Sequence, residues 1–165
     1  MRHIPSNPPI SLRARLSQAA VLAPALLLVA GCQHSVGRQV INPPGIAPLV
    51  PAYSVAVRDG DFVFVSGMTG IAPGTQDIVA GGIAAQTRQT LENIQTSLTA
   101  AGASMADVAE CTVFLVDMAD YAAMNAVYIE YFRVAPPARA TLAVSALPRP
   151  AARVEIKCTA RIRKR

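Results

Sequence analysis

Three short runs of this chain carry apolar side chains on both faces: residues 62–65 read Phe-Val-Phe-Val, 112–116 Thr-Val-Phe-Leu-Val and 140–144 Ala-Thr-Leu-Ala-Val. Strands of that kind belong in a sheet covered on two sides. Only two segments show helical periodicity. Ile83, Thr87, Leu91, Ile94, Leu98 and Ala101 recur at three- and four-residue spacing, and Gly102 supplies a stop. Tyr121, Met124, Tyr128 and Tyr131-Phe132 share one side of a second helix that starts near Asp120 and ends before Pro136-Pro137. Two helices can cover one face. The other would expose an apolar patch beyond roughly a few hundred Å², more than a monomer normally tolerates, so it is expected to be buried against further subunits.

The remaining segments fit that architecture. Residues 53–57 and 62–66 read as two strands flanking Arg58-Asp59-Gly60-Asp61, a hairpin with glycine in its turn. Residues 67–82 read as loop, with a short strand near Ile78-Val79. Ser104 and Asp107 resemble a capping box on one short turn, and a strand over 110–116 follows. Strands over 139–145 and 153–162 close the chain. The last alternates strictly: Val154, Ile156, Cys158, Ala160 and Ile162 face one way, and Arg153, Glu155, Lys157, Thr159 and Arg161 the other. The order ββ-α-β-α-ββ predicts an α+β fold, a mixed sheet with helices on one face.

The first residues are of another kind. Arg2, His3, Arg13 and Arg15 precede an uncharged apolar run over 19–30, interrupted only by Pro24. It is shorter than the roughly 20 residues a membrane span needs but matches a signal-peptide core. Leu28-Val29-Ala30-Gly31-Cys32 resembles a bacterial lipoprotein lipobox. That implies cleavage before Cys32, diacylglycerol on its thiol and a third acyl chain on its new amino group. The alternative is an ordinary signal peptide with a coincidental cysteine. Residues 1–31 are therefore read as a cleaved lipoprotein signal peptide, 32–37 as a tether and 38–165 as the domain. Gln33, in place of an aspartate, points to the periplasmic face of the outer membrane over the inner one.

Loss of the signal leaves twelve basic against ten acidic residues, and Arg161, Arg163, Lys164 and Arg165 crowd four of the twelve at the end. The body without them is slightly acidic, which argues against a nucleic-acid surface. His34 lies in the tether, so the domain has no imidazole, and no metal-ligand spacing is present. Cys111 and Cys158 sit in strand-like segments, either as small apolar residues or as a pair; spacing alone leaves this open.

Pro136-Pro137 deliver Arg139 to the start of an apolar strand. Arginine is rarely buried without a partner. Its planar fork either awaits a planar anion such as a substrate carboxylate, or is paired with an internal carboxylate or solvated.

Taken in order, Val40-Ile41-Asn42-Pro43-Pro44-Gly45, Tyr53-Ser54, Ser66-Gly67, Gln86-Thr87-Arg88-Gln89-Thr90-Leu91-Glu92-Asn93-Ile94, Met124-Asn125-Ala126-Val127-Tyr128, Pro137-Ala138-Arg139 and Val154-Glu155-Ile156 resemble the Rid family of reactive intermediate deaminases, also called the YjgF family. The resemblance covers the mature length. It implies a chorismate-mutase-like fold in a homotrimer, with a central barrel of sheets and active sites in clefts between subunits. It implies hydrolysis of enamines and imines to 2-oxo acids and ammonia without metal or organic cofactor. Arg139 matches the family's substrate-carboxylate arginine and Glu155 the carboxylate that positions water. Tyr53, Ser66 and Asn125 match residues lining or supporting the cleft. Arg139 and Glu155 fall on neighbouring strand-like segments.

The chain departs from the family with Pro51-Ala52 for Gly-Pro, with Val55 and Met68 at glutamine positions and with Thr141 for a common cysteine. The two glutamine replacements remove hydrogen-bonding groups, make the pocket more apolar and bear on substrate range. A non-catalytic ligand-binding or chaperone-like trimer at the membrane surface is the alternative to the enzyme. RNA cleavage, sometimes attributed to the family, is disfavoured by the charge balance and the absence of histidine from the domain.

Overall fold

A computed structural model of the protein describes residues 37–163. Residues 1–36, on which the expected signal peptide, Cys32 and most of the expected tether fall, and Lys164-Arg165 lie outside the described residues. One six-stranded sheet is built from β1 (Gln39–Ile41), β2 (Ala56–Asp59), β3 (Phe62–Thr69), β4 (Val108–Leu115), β5 (Ala138–Ala143) and β6 (Val154–Arg161), in the order β1-β2-β3-β6-β4-β5. Two helices, α1 (Gly82–Ala100) and α2 (Tyr121–Tyr131), complete it. All neighbouring strands are antiparallel except β4 and β5. Those two are parallel because α2 crosses between them, and a parallel return needs such a crossover.

Local sequence explains most of the elements. α1 buries Leu91, Ile94 and Leu98 completely, and its C-terminus closes where Gly102 takes a φ of 80° and the Ala103 amide bonds back to Leu98 O at 2.8 Å. Ser104 and Asp107 form the expected capping box. β6 alternates as its sequence predicts: Val154, Ile156, Cys158 and Ala160 are buried, with the polar set between them facing outward. The core lies between the sheet and the helices, where these residues meet Val63, Val65, Val113 and Leu115.

The structure corrects several expectations. β1 was not expected; Gln39–Ile41 has no pattern of its own and becomes a strand only by pairing with β2. β2 begins at Ala56, leaving Tyr53 and Ser54 in a turn that the Leu49 amide fixes by donating to the Tyr53 hydroxyl at 2.8 Å. β3 runs on past Ser66 through Gly67 to Thr69, where a loop was expected, over a register shift between Val65 and Met68. β4 starts two residues earlier than expected, at Val108, and Ile78 forms only an isolated bridge to Ile71.

The sheet face away from the helices is bare. Phe62, Phe64 and Leu142 point there and are 45%, 49% and 46% exposed. Cys111 and Cys158 stand directly opposite each other on β4 and β6 and form a disulfide, their Cα atoms 4.1 Å apart. The choice that spacing left open is settled by register.

Candidate active site

β5 is the edge strand next to β4, entered through Pro136-Pro137. Ala135, just before them, has a φ of 50°, a left-handed conformation that costs a residue with a Cβ about 1–2 kcal/mol. In the ladder Arg139 lies opposite Cys111, whose side chain points into the core, so Arg139 also faces the helices. There α2 presents Tyr121, Asn125 and Tyr128, spaced by four and three residues on one helical face. Arg139 Nη1 donates to Asn125 Oδ1 at 2.9 Å and Nη2 to the Tyr121 hydroxyl at 3.1 Å. Its guanidinium carbon stands 4.5 Å from the Tyr128 ring centroid and 5.7 Å from that of Tyr121.

Every one of these partners is neutral. No ion pair among the described residues involves Arg139, so it is neither matched by an internal carboxylate nor simply solvated. Two of its five N–H groups are used, and three remain for an anion. Ile129, Phe132, Pro136 and Pro137 wall the adjoining cleft of ≈ 230 Å³. Burial pushes the Tyr128 phenol up to about 12, Arg139 pulling the other way, and its hydroxyl has no hydrogen-bond partner among the described residues. The phenol therefore stays neutral beneath the guanidinium.

Glu155 faces the other way, because its neighbours Val154 and Ile156 point into the core. Its carboxylate has no hydrogen bond or ion pair among the described residues. Arg153, two residues before it, grips Asp120 through Nε at 2.8 Å and Nη2 at 2.7 Å. Partial burial without a compensating charge raises its pKa above the ordinary glutamate value. Gly67 makes room for it: a Cβ there would sit 2.7 Å from Glu155 Cδ. Tyr53, Ser66, Pro148 and Glu155 line a cleft of ≈ 400 Å³. The Ser66 hydroxyl donates to Ser54 O at 2.7 Å and so pins the bulge to the turn before β2. Val55 and Met68 are buried beneath, which accounts for the apolar surroundings of the carboxylate.

The chain thus brings the expected residues together in two groups. Asn125 and Arg139 share one cleft; Tyr53, Ser66 and Glu155 share the other. Arg139 and Glu155 are not on neighbouring strands, since β4 separates β5 from β6. Glu155 is level with Phe114, three residues along β4 from Cys111, which is level with Arg139. Two strand spacings and three residues of rise place the two Cα atoms about 14 Å apart, with side chains on opposite faces.

Other residues shape the clefts. Gln86 binds Ala151 O and the Arg153 amide at 3.0 and 2.8 Å, and Asn93 binds Thr69 O and Ile71 O at 3.1 and 2.9 Å. These buried α1 amides fix the ends of β6 and β3 on either side of Gly67 and Glu155. Their signal was two amides seven apart on the helix face that carries Leu91, Ile94 and Leu98, a face that also buries Thr87, Thr90 and Ser97. Tyr121 and Tyr128 were legible as one helix side but not as the cradle of Arg139. Arg149, in a small recess beside the second cleft, had no signal at all. Among the described residues no cluster of His, Cys, Asp or Glu is placed to hold a metal ion.

Fold and clefts together define a small α+β protein that keeps a preset arginine and a free carboxylate on opposite faces of one sheet. Comparison with known proteins narrows this. The family model described as Endoribonuclease L-PSP matches residues 46–162. The chain belongs to that family, the Rid or YjgF family. A RutC family protein of Pyrococcus horikoshii is 51% identical over 102 residues, 62% of this chain and 80% of that one. The 2-iminobutanoate/2-iminopropanoate deaminase of Mus musculus is 37% identical over 126 residues, 76% and 93% of the two chains. Among solved structures, RidA of an Antarctic Psychrobacter matches with a TM-score of 0.71 at 37% identity, covering 75% of this chain and 99% of that one. The mixed sheet with two helices is the fold of these neighbours.

Proposed function

We propose that the protein is a cofactor-independent deaminase that adds water to 2-imino acids and their 2-amino-enoic tautomers, giving 2-oxo acids and ammonia. The observation that carries this is Glu155: half-buried, raised in pKa and without a partner, it has the properties of a general base waiting for a water. Arg139, oriented by neutral groups alone, grips the substrate carboxylate and holds the imine carbon in place. Glu155 takes a proton from the water as its oxygen bonds to that carbon. The C=N π pair moves onto nitrogen, which receives the proton that Glu155 took; the carbinolamine hydroxyl proton then passes, by way of Glu155, to the nitrogen as ammonia leaves and the carbonyl forms. Backbone amides near Arg139 stabilise charge during the addition. The relatives named as imine deaminases support this chemistry.

The reading requires that the two clefts meet. We place them together in a homotrimer whose bare sheet faces turn inward as a barrel, the Arg139 cleft of one subunit against the Glu155 cleft of the next. The separation of about 14 Å within one chain and the exposed Phe62, Phe64 and Leu142 support this arrangement. The site then has residues from two copies.

Export belongs to the same proposal: cleavage before Cys32, lipid on that cysteine and residence on the periplasmic face of the outer membrane. The Cys111–Cys158 disulfide supports it, since such bonds persist in oxidising compartments. The test is an assay of the domain lacking residues 1–32 on freshly generated 2-imino acids. Hydrolysis above the buffer rate is expected, and none would overturn the enzymatic reading.

A further inference from the structure

Among the described residues three ion pairs occupy Arg88, Arg153 and Arg163. Two cleft arginines differ from them. Arg139 is held by Asn125 and Tyr121, and Arg149 is held by Gln76: Nη1 donates to Gln76 O at 2.6 Å and Nη2 to Gln76 Oε1. A guanidinium fixed by neutral oxygens is pre-oriented, yet its charge is uncompensated and available to an incoming anion. Arg149 stands between Pro148 and Pro150, which restrict its backbone. It lines a recess of ≈ 50 Å³ beside the Glu155 cleft, sharing Tyr53, Gly67, Pro148 and Glu155 with it.

Gln76 is 73 residues away in sequence, so the two loops are tied where they border the recess. The rest of the recess wall is largely apolar, with Ile46, Val55, Met68 and Ile71. Among the described residues Glu155 is the one carboxylate in the wall and forms no ion pair with Arg149, so the guanidinium favours an anionic group over a neutral polar one.

We infer that Arg149 is a second anion-binding group, and that the preferred substrates are 2-imino acids with a second carboxylate. The inference rests on the deaminase proposal: Arg139 holds the carboxylate beside the reacting carbon, and Arg149 holds the one at the far end of the side chain. The two cations match two anions. The small recess admits a carboxylate, while the larger cleft holds the rest of the molecule.

The test uses the purified full chain and two imines generated in place by amino-acid oxidases, 2-iminopentanedioate and 2-iminobutanoate. Wild type is expected to show at least about a 10-fold higher kcat/KM for the diacid. Arg149→Gln should lower the diacid value by about 10- to 100-fold, the size expected for a hydrogen bond to a charged group, and leave the monoacid within twofold. Calorimetry with the stable 2-oxopentanedioate and 2-oxobutanoate, on wild type and Arg149→Gln, reads the same preference without catalysis. Equal handling of both acids by wild type, or equal loss of both in the variant, overturns the role of Arg149 and leaves the deaminase standing. A chain that hydrolyses neither imine but binds the oxo diacid through Arg149 removes the deaminase and keeps the anion site.

Discussion

Arg139 and Glu155 stand on opposite faces of one sheet, with β4 between their strands. Each is charged, and neither has a countercharge among the described residues. Their electrostatic settings differ. Arg139 is oriented by an amide, a phenol and an aromatic ring, whereas Glu155 sits in an apolar cleft that penalises its charged form.

The two residues should therefore fail differently. Arg139→Lys keeps the charge and loses the fork and the geometry set by Asn125 and Tyr121, so kcat/KM should fall although the change looks conservative. Glu155→Gln keeps the shape and removes the base, so it should mainly lower kcat, by roughly 10²–10⁴-fold. Steady-state kinetics on a 2-imino acid separate the two. An active enzyme indifferent to Arg139→Lys would sink the clamp.

Glu155 should also show in the pH dependence. Its folded pKa is raised, so the native state binds a proton more tightly than the unfolded chain between the ordinary glutamate value and the raised one. Its contribution to stability is complete below that window and is lost as pH rises through it. At neutral pH Glu155→Gln should be at least as stable as wild type by Tm, although nearly inactive. Wild-type kcat should drop on acidification with a midpoint above the ordinary glutamate value. A Glu155→Gln variant markedly less stable at neutral pH contradicts this.

Light scattering at micromolar concentration should give three chains per particle for the domain lacking residues 1–32. Phe64→Asp puts a charge on the bare face and should yield monomers. Activity should disappear with the assembly, although Phe64 lines neither cleft. A fully active monomer rules out a shared site.

Reduction should destabilise the domain through the bond between β4 and β6. Closing a loop over a sequence separation of 47 residues stabilises by at most about 4 kcal/mol in the chain-entropy model. Thermal melts with and without dithiothreitol read the difference. Thiol titration of the unfolded, unreduced domain should find Cys111 and Cys158 unreactive. Two free thiols there would refute the pairing.

Cys32→Ser should abolish lipidation and release the protein from membranes. Palmitate labelling and fractionation test this. Identical behaviour of wild type and variant excludes the anchor.

The sequence by itself determined what is written at short range. The C-terminal end of α1, the capping box of Ser104 and Asp107 and the alternation of β6 follow from short-range patterns, so they were legible. The bare sheet face was legible too, because apolar residues on both faces of three strands exceed what two helices cover. Only the tertiary structure decided what depends on register. β1 exists through its pairing with β2, and Gly67 is needed because Glu155, on the partner strand, fills the space that a side chain there would take. Insertion of β6 between β3 and β4 set Cys111 against Cys158 and sent Arg139 and Glu155 into different clefts. Arg149 acquired its orientation from Gln76, 73 residues away. Such contacts follow from which strands lie side by side, a choice made by burying the whole core at once and by no local pattern.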